Sequence, residues 1–188
     1  ANQLKTVAKF ISGGLQTKVY LVKIGGFDTH DLQVAANTTT HLGQHANLLT
    51  ELSEAITSFI TDINNQSIGD DVVAVTFSEF GRKAAENGNL GTDHGEIAPM
   101  FVFGSPINPG ISGSNINLAE AVMSNNYQVQ TVQHDYRRVF ATILQDWFGS
   151  NNATLDLTFY DHTNSVGFGN NKVANVIKTA NIVGPACY

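Results

Sequence analysis

The chain has almost no cysteine, since its 188 residues include only Cys187. One cysteine cannot close a disulfide within the chain, which excludes a disulfide-stapled fold and a zinc cluster built on thiolates. Basic residues are also few: ten Lys and Arg stand against sixteen Asp and Glu, for a net charge of −6. An acidic chain lacks the electrostatic footprint that attracts DNA, RNA or an anionic membrane. We therefore expect no nucleic-acid partner.

Long apolar runs are absent as well. Neither Val72–Phe77 nor Pro99–Phe103 approaches the roughly 20 residues that a helix needs to cross a bilayer, so no transmembrane segment is predicted. Charged residues are 14% of the chain, against about a quarter in typical soluble domains. This low charge favours a secreted, periplasmic or cell-surface protein. Because the chain starts at Ala1 without Met, we expect either a removed signal or a fragment.

Apolar residues make up 42% of the chain, enough for a buried core, and their spacing predicts alternating helices and strands. Helices are predicted where apolar residues recur every three or four positions: Leu4–Ile11, His41–Ile63 and Asp135–Phe148, the last capped by Asp135. Strands are predicted at three apolar runs: Val19–Ile24, Asp71–Phe77 and Met100–Phe103. The pattern over 170–182 fits a helix or a strand. We therefore predict an α/β fold with a mostly parallel sheet and flanking helices.

Unusual polar segments lie next to each predicted strand. In chain order they are Gly25-Gly26-Phe27-Asp28-Thr29-His30, Thr76-Phe77-Ser78-Glu79-Phe80-Gly81-Arg82 and Gly91-Thr92-Asp93-His94-Gly95. Sites in open α/β sheets form beyond the carboxyl ends of the strands. Asp and His without Cys are ligands for zinc, manganese or iron in hydrolytic sites. The candidate ligands are Asp28, His30, Asp93 and His94, and two Asp/His pairs suggest two ions.

Each candidate also has a purely structural interpretation. Asp28 and Asp93 can be turn formers beside glycine, with the histidines on the surface. Glu79 and Arg82 are either an ion pair at the sheet edge or a ligand or base together with a clamp on a substrate anion.

Two further groups of polar residues leave the same choice open. The run His134-Asp135-Tyr136-Arg137 is either a helix cap with an ion pair or a further part of the site. His41 and His45, one helical turn apart, either chelate a metal or form a solvated face.

The three glycine-containing segments, together with Asp135-Tyr136-Arg137, resemble in the same order the hallmark segments of a secreted bacterial family of unknown function, DUF1501. The resemblance runs from about Leu4 to Gly149. That family is similar to the alkaline phosphatase and sulfatase superfamily, which implies a partial alkaline-phosphatase-like α/β fold.

The same resemblance implies roles for individual residues. Asp28 and His30 match the carboxylate and histidine ligands of one metal, and Asp93 with His94 match an Asp-His ligand pair. His134 falls in the order of a third histidine. The implied cofactors are divalent metal ions, zinc first, with manganese, iron or calcium as alternatives, and the implied substrate is an anionic ester. The candidate catalytic residues are Glu79, Arg82 and Arg137.

Superfamily enzymes carry their nucleophile in an N-terminal half that precedes these motifs. We therefore expect residues 1–150 to be the C-terminal half of an alkaline-phosphatase/sulfatase-like domain and residues 151–188 to extend that domain. An N-terminal segment or a partner chain is expected to complete the sheet, because native proteins avoid open apolar edges; an oligomer is compatible with this. The predicted function is metal-dependent hydrolysis of phosphate or sulfate esters outside the cytoplasm. The alternative is a non-catalytic extracellular or cell-surface structural or assembly protein that keeps the fold.

Overall fold

A computed structural model describes residues 2–37, 39, 41–159 and 172–181. The chain divides into two compact units, each built from several segments. Unit 1 comprises Ala1–Val72, Ser78–Pro99 and Asn117–Gln130, and unit 2 comprises Val73–Phe77, Met100–Ile116 and Thr131–Tyr188. Cys187 lies outside the described residues, as do the ends of the predicted element over 170–182. The boundary expected at residue 150 stays a prediction.

Two helices build the core of unit 1: α1 (Asn2–Ser12) and α2 (Gln44–Asn65). Ala8 from α1 packs with Phe59 and Ile63 from α2, and all three are at most 5% exposed. The helix α1 ends at Gly13-Gly14, where Gly14 has a φ of 77° that favours glycine. The sequence predictions of both helices are confirmed, because their apolar stripes recur with the helical period and find each other.

Unit 2 contains the other helices, α3 (Tyr136–Thr142) and α4 (Asn152–Thr158), with one π-helical turn at Ile143–Trp147 after α3. The Asp135 side chain accepts a hydrogen bond from the backbone N–H of Arg137, so the predicted N-terminal cap is confirmed. Ala141 and Leu155 are fully buried and form the core between these helices. No helix within the described residues is long and apolar enough to cross a bilayer.

The strands form two small antiparallel sheets. In unit 2, β1 (Ala74–Val75) pairs with β4 (Val102–Phe103). In unit 1, β2 (Gly81–Glu86) pairs with β3 (Thr92–Gly95) as a hairpin with a bulge between Arg82 and Glu86. Short 3₁₀ turns complete the elements: Gly69–Asp71, Leu118–Glu120, Met123–Asn125 and Thr179–Asn181.

The predicted mostly parallel sheet with flanking helices is therefore wrong for the described part of the chain, in which both sheets are two-stranded and antiparallel. The apolar runs Asp71–Phe77 and Met100–Phe103 do contain paired residues, but only two in each strand. Val19–Ile24, predicted as the first strand, belongs to neither sheet. A strand exists only through a ladder with another strand, and apolar composition does not specify that partner.

Candidate metal centre

Two segments of unit 1 meet at the candidate site, namely the loop after Ile24 and the hairpin β2–β3. Thr29 is 2% exposed and anchors the loop, while Asp28 and His30 on either side of it remain accessible. The backbone N–H of Thr92 donates to the carbonyl of Thr29 at 3.3 Å, which joins the loop to β3. This contact, rather than the predicted edge of a parallel sheet, brings the first and third of the polar segments together.

Three of the four candidate ligands converge on one point. His94 Nε2 lies 2.9 Å from Asp28 Oδ1, and His30 Nε2 lies 3.0 Å from the same oxygen. One ligand atom from each residue falls within 4.8 Å of the other two. The side chains are about half exposed, at 55%, 46% and 49% for Asp28, His30 and His94. Two imidazoles and a carboxylate facing solvent match a three-ligand catalytic zinc site with an open position.

The fourth candidate, Asp93, lies behind His30. Its Oδ1 atom is 3.4 Å from His30 Nδ1, the ring nitrogen opposite the one that faces Asp28. Lys83 Nζ and Asn87 Nδ2 each donate to Asp93 at 3.3 Å. A carboxylate against the second nitrogen of a metal-binding histidine orients that ring and raises its basicity. This geometry favours an orienting role for Asp93 over direct ligation, which would leave ligands for one ion rather than two.

Arg82 connects the hairpin to the ligand loop. Its Nη2 atom donates to the carbonyl of Phe27 at 2.6 Å and to Asp28 Oδ1 at 2.7 Å, and its Nη1 atom donates to the carbonyl of Thr92 at 2.8 Å. The side chain is only 18% exposed. Its fork of donors is thus directed at the protein itself, which indicates a structural clamp. The predicted role of gripping a substrate anion stays a prediction.

An aromatic ring fixes the orientation of His94. Phe80 stacks on the His94 imidazole with ring centroids 3.7 Å apart and planes 10° apart. The guanidinium of Arg82 lies 5.1 Å from the centroid of the same Phe80 ring. Arg82 and His94 are direct cross-strand partners in the hairpin register. The stacked Phe80 ring and the cross-strand pair Arg82–His94 therefore orient the imidazole of His94 together.

The side-chain amides of Gln33 and Asn87 connect the segments that carry the site. The sequence analysis named neither residue. Gln33 Oε1 accepts hydrogen bonds from the hydroxyls of Thr29 and Thr92, both at 2.8 Å. Asn87 Nδ2 donates to the carbonyl of His30 at 2.8 Å. Asn87 precedes Gly88 in an Asn-Gly pair, a hairpin signal that would have predicted the β2–β3 turn. Gln33 has no such signal, because it joins the nearby Thr29 to Thr92, which lies 59 residues away in the chain.

The charges around the site keep both carboxylates ionised at neutral pH. The hydrogen bond from His94, followed by that from Arg82, lowers the pKa of Asp28 below its ordinary value. Hydrogen bonds from Asn87 and Lys83 lower the pKa of Asp93 in the same way. A carboxylate must be deprotonated to bind metal or to orient a ligand, and both carboxylates meet this condition.

The remaining predicted site residues are Glu79, Arg137 and His134. Glu79 is exposed and makes no polar contact with any described residue, so its ligand or base role stays a prediction. Arg137 belongs to unit 2, where its Nη2 atom lies 2.5 Å from Asp135. The hydrogen bond from the Arg137 side chain lowers the pKa of Asp135 below its ordinary value. His134 lies 3.0 Å from the hydroxyl of Ser112, also in unit 2.

The pair His41 and His45 does not form a helical chelate. The helix α2 begins at Gln44, after His41. The ring of His41 instead lies within hydrogen-bonding distance of the Thr39 hydroxyl, and His45 packs edge-on against Phe27. The candidate metal residues of this region are therefore those of the loop and the hairpin.

Most of the chain, including the loop and the hairpin, matches one known protein family. A family model described as "Protein of unknown function (DUF1501)" matches residues 14–155. The chain belongs to the DUF1501 family, and the matched range includes Asp28, His30, Asp93 and His94. No curated protein and no solved structure matches the chain.

Proposed function

We propose that this protein is a metal-dependent hydrolase of phosphate or sulfate esters that acts outside the cytoplasm. The observation that carries the proposal is the convergence of Asp28, His30 and His94, whose ligand atoms lie within 4.8 Å of one another on an exposed surface. The low charge of the chain supports the extracytoplasmic location. The similarity that we infer between the DUF1501 family and the alkaline phosphatase and sulfatase superfamily supports the ester class.

The chemistry of the donors favours zinc. Imidazole nitrogen and carboxylate oxygen suit zinc, with manganese and iron as alternatives, whereas calcium takes oxygen ligands alone. A divalent ion bound here would polarise an ester oxygen and lower the pKa of a bound water. The chain itself holds the ligands for this task, since Asp93 faces the second nitrogen of His30 and Phe80 stacks on His94.

The cations near the cluster are paired with its carboxylates. Arg82 lies 2.7 Å from Asp28 and Lys83 lies 3.3 Å from Asp93. A bound divalent ion would therefore have to supply the positive charge that holds an anionic ester.

The first experiment measures metal by elemental analysis of protein purified without chelator, followed by calorimetric titration with zinc. We expect one ion per chain. Asp28→Asn and His94→Ala should each weaken zinc affinity by more than about 100-fold, beyond the 10- to 100-fold typical of changes to residues that only orient the ligands. The matched controls Asp70→Asn and His41→Ala alter exposed residues away from the cluster and leave the affinity unchanged. Equal losses in the controls would contradict the assignment.

The second experiment tests catalysis on the zinc-loaded protein with chromogenic phosphate monoester, phosphate diester and sulfate ester substrates. Turnover of one class that disappears in His94→Ala supports the hydrolase. If the protein binds zinc but hydrolyses none of the three esters, the hydrolase proposal is wrong, although the assignment of the metal site is kept.

A second candidate is a non-catalytic extracellular structural or assembly protein. One observation favours it: Arg82 Nη2, His30 and His94 all contact Asp28 Oδ1. The polar groups of the cluster are therefore satisfied within the protein, and the same residues suffice to join the loop to the hairpin. Protein that contains no metal when purified without chelator and does not bind added zinc would favour this candidate.

A further inference from the structure

The turn of the hairpin β2–β3 contains Asn87-Gly88, the only Asn-Gly pair in the sequence. In such a pair the side-chain amide lies next to a main-chain nitrogen that no Cβ shields, because glycine has none. That nitrogen can attack the amide carbon, and a succinimide ring forms when ammonia leaves. Gly88 is exposed, and a Cβ built on it would meet nothing within 4 Å, so the space around the attacking nitrogen is open.

Two contacts within the turn favour this reaction. Glu86 Oε1 accepts a hydrogen bond from the N–H of Gly88 at 2.8 Å. A base within about 3.2 Å of a proton is placed to remove it, and removal of this proton makes the Gly88 nitrogen a nucleophile. The N–H of Asn89 donates to Asn87 Oδ1 at 3.0 Å. A donor at this distance stabilises the negative charge that develops on the oxygen of a carbonyl under attack.

The nitrogen of the same amide connects the hairpin to the ligand loop. Asn87 Nδ2 donates to the carbonyl of His30 at 2.8 Å and to Asp93 Oδ1 at 3.3 Å. Beside it, the N–H of Leu32 donates to the carbonyl of Asn89 at 3.1 Å. The contacts between turn and loop therefore depend on an amide at position 87 and on the main-chain path of the turn.

We propose that Asn87 is a site of spontaneous deamidation and that the modification releases the ligand loop from the hairpin. The Gly88 nitrogen gives its proton to Glu86 and bonds to the amide carbon of Asn87. The C–N bond of the side-chain amide then breaks, and ammonia leaves after taking the proton back from Glu86. Water opens the succinimide at either of its carbonyls, which gives aspartate or isoaspartate. Water is the only other reactant.

Either product breaks the contacts of position 87. Aspartate has no side-chain N–H to donate, and its carboxylate would face the carbonyl of His30 and the charged Asp93, which is repulsive. Isoaspartate also adds a methylene group to the main chain of the turn, and the turn sets the register of the hairpin. The modification does not rest on the proposed function. Its effect on zinc does, because that effect requires the cluster to bind metal.

The first test incubates the whole chain without metal at mildly alkaline pH and locates aspartate and isoaspartate by peptide mass mapping. We expect conversion at Asn87 and none over the same period at Asn89, an exposed asparagine of the same turn that precedes Leu90. Glu86→Gln keeps an acceptor for the N–H of Gly88 but is not a base. It should slow conversion at least about tenfold, a small part of what a positioned base typically contributes. Unmodified Asn87, or an equal rate in Glu86→Gln, would overturn the mechanism.

The second test measures amide hydrogen exchange by NMR in Asn87→Asp, with Asn89→Asp as the matched control. The N–H groups of Leu32 and Thr92 join loop and hairpin, and we expect them to exchange at least about tenfold faster in Asn87→Asp alone. Equal exchange in the two variants overturns the release of the loop. Zinc affinity should fall about 10- to 100-fold in Asn87→Asp alone. If the unmodified protein binds no zinc, the proposed function fails, and the mass and exchange measurements still decide this inference.

Discussion

Two parts of unit 1 differ in how their main-chain N–H and C=O groups are hydrogen-bonded. The hairpin β2–β3 pairs Gly81 with Gly95 and Arg82 with His94 in an antiparallel register. The segment Val19–Ile24 is richer in β-branched and aromatic residues, yet it has no ladder within the described residues. The glycine-rich stretch forms the sheet, and the stretch with the stronger β composition does not.

This difference shows what a strand requires. The hairpin has a turn that returns the chain to itself, with the Asn87 N–H donating to the Gly91 carbonyl at 3.0 Å. Glu86 Oε1 accepts from the N–H groups of Gly88 and Leu90 within that turn. Local turn chemistry determines register, whereas β propensity alone leaves the partner unspecified. The comparison leads to four predictions, ordered from the largest expected effect to the smallest.

The largest effect is expected from Gly81→Ala in the hairpin. A Cβ at this position would collide with the main chain of Ile97, which cannot move as a flexible side chain does. We expect the free energy of unfolding to fall by about 3 kcal/mol, the upper end of overpacking costs. Urea titration followed by circular dichroism measures it. The control Gly25→Ala, where nothing lies within 4 Å, should change stability by less than about 0.5 kcal/mol.

Arg82→Lys tests the connection between hairpin and ligand loop. Lysine keeps the charge but cannot donate to Phe27, Asp28 and Thr92 together, so we expect a loss of about 2 kcal/mol in the same titration. The exposed Lys9→Ala on α1 serves as the comparison and should be nearly neutral. If Arg82→Lys also left the free energy of unfolding unchanged, the connection between the hairpin and the ligand loop would have to be attributed to other contacts.

Gln33→Met is expected to have a smaller effect. It removes the acceptor of the Thr29 and Thr92 hydroxyls, of which the first is almost fully buried. We expect a cost of about 1 kcal/mol, at the lower end for an unsatisfied buried donor. Zinc affinity should also fall, since Thr29 lies between two candidate ligands. Gln44→Met, on the exposed start of α2, is the matched control, and an equal loss there would argue against the network.

The smallest effect is the acid sensitivity of the hairpin region. The pKa values of Asp28 and Asp93 are lowered in the folded protein, so their contribution is complete above the unfolded value of about 4 and is lost as the pH falls through the folded values. In metal-free protein, the hairpin amides should therefore lose protection against hydrogen exchange as the pH falls below about 4. Their exchange should then be faster than the intrinsic exchange rates at that pH explain. The double variant Asp28→Asn with Asp93→Asn should remove this dependence, and Val19–Ile24, which has no carboxylate, should not show it.

Sequence patterns predicted the helices well. The stripes of α1 and α2 lie within a few residues of their predicted bounds, and Asp135 caps α3 as expected. A helix satisfies its main chain within one segment, so its signal is local. The parallel sheet failed because the apolar runs at Asp71–Phe77 and Met100–Phe103 pair with each other over only two residues, antiparallel to one another.

The candidate site was predictable in part. Asp28, His30, Asp93 and His94 stand out as polar residues next to glycine and apolar runs, and the structure brings all four together. The separation of roles between Asp93 and the other three depends on which nitrogen of His30 each carboxylate faces. No local pattern contains that information, because the residues are about 60 positions apart in the chain.

By itself, the sequence determined the helices, the cap at Asp135, the acidic charge and the set of Asp and His residues available to bind metal. Each of these follows from neighbours within a few residues or from composition alone. Only the tertiary structure decided that His30 lies between Asp28 and Asp93, that Arg82 and Gln33 hold the ligand loop, and that Val19–Ile24 belongs to neither sheet of the described residues. The physical reason is that strand pairing and site geometry join distant segments, and the partner of a hydrogen bond is specified by the fold around it.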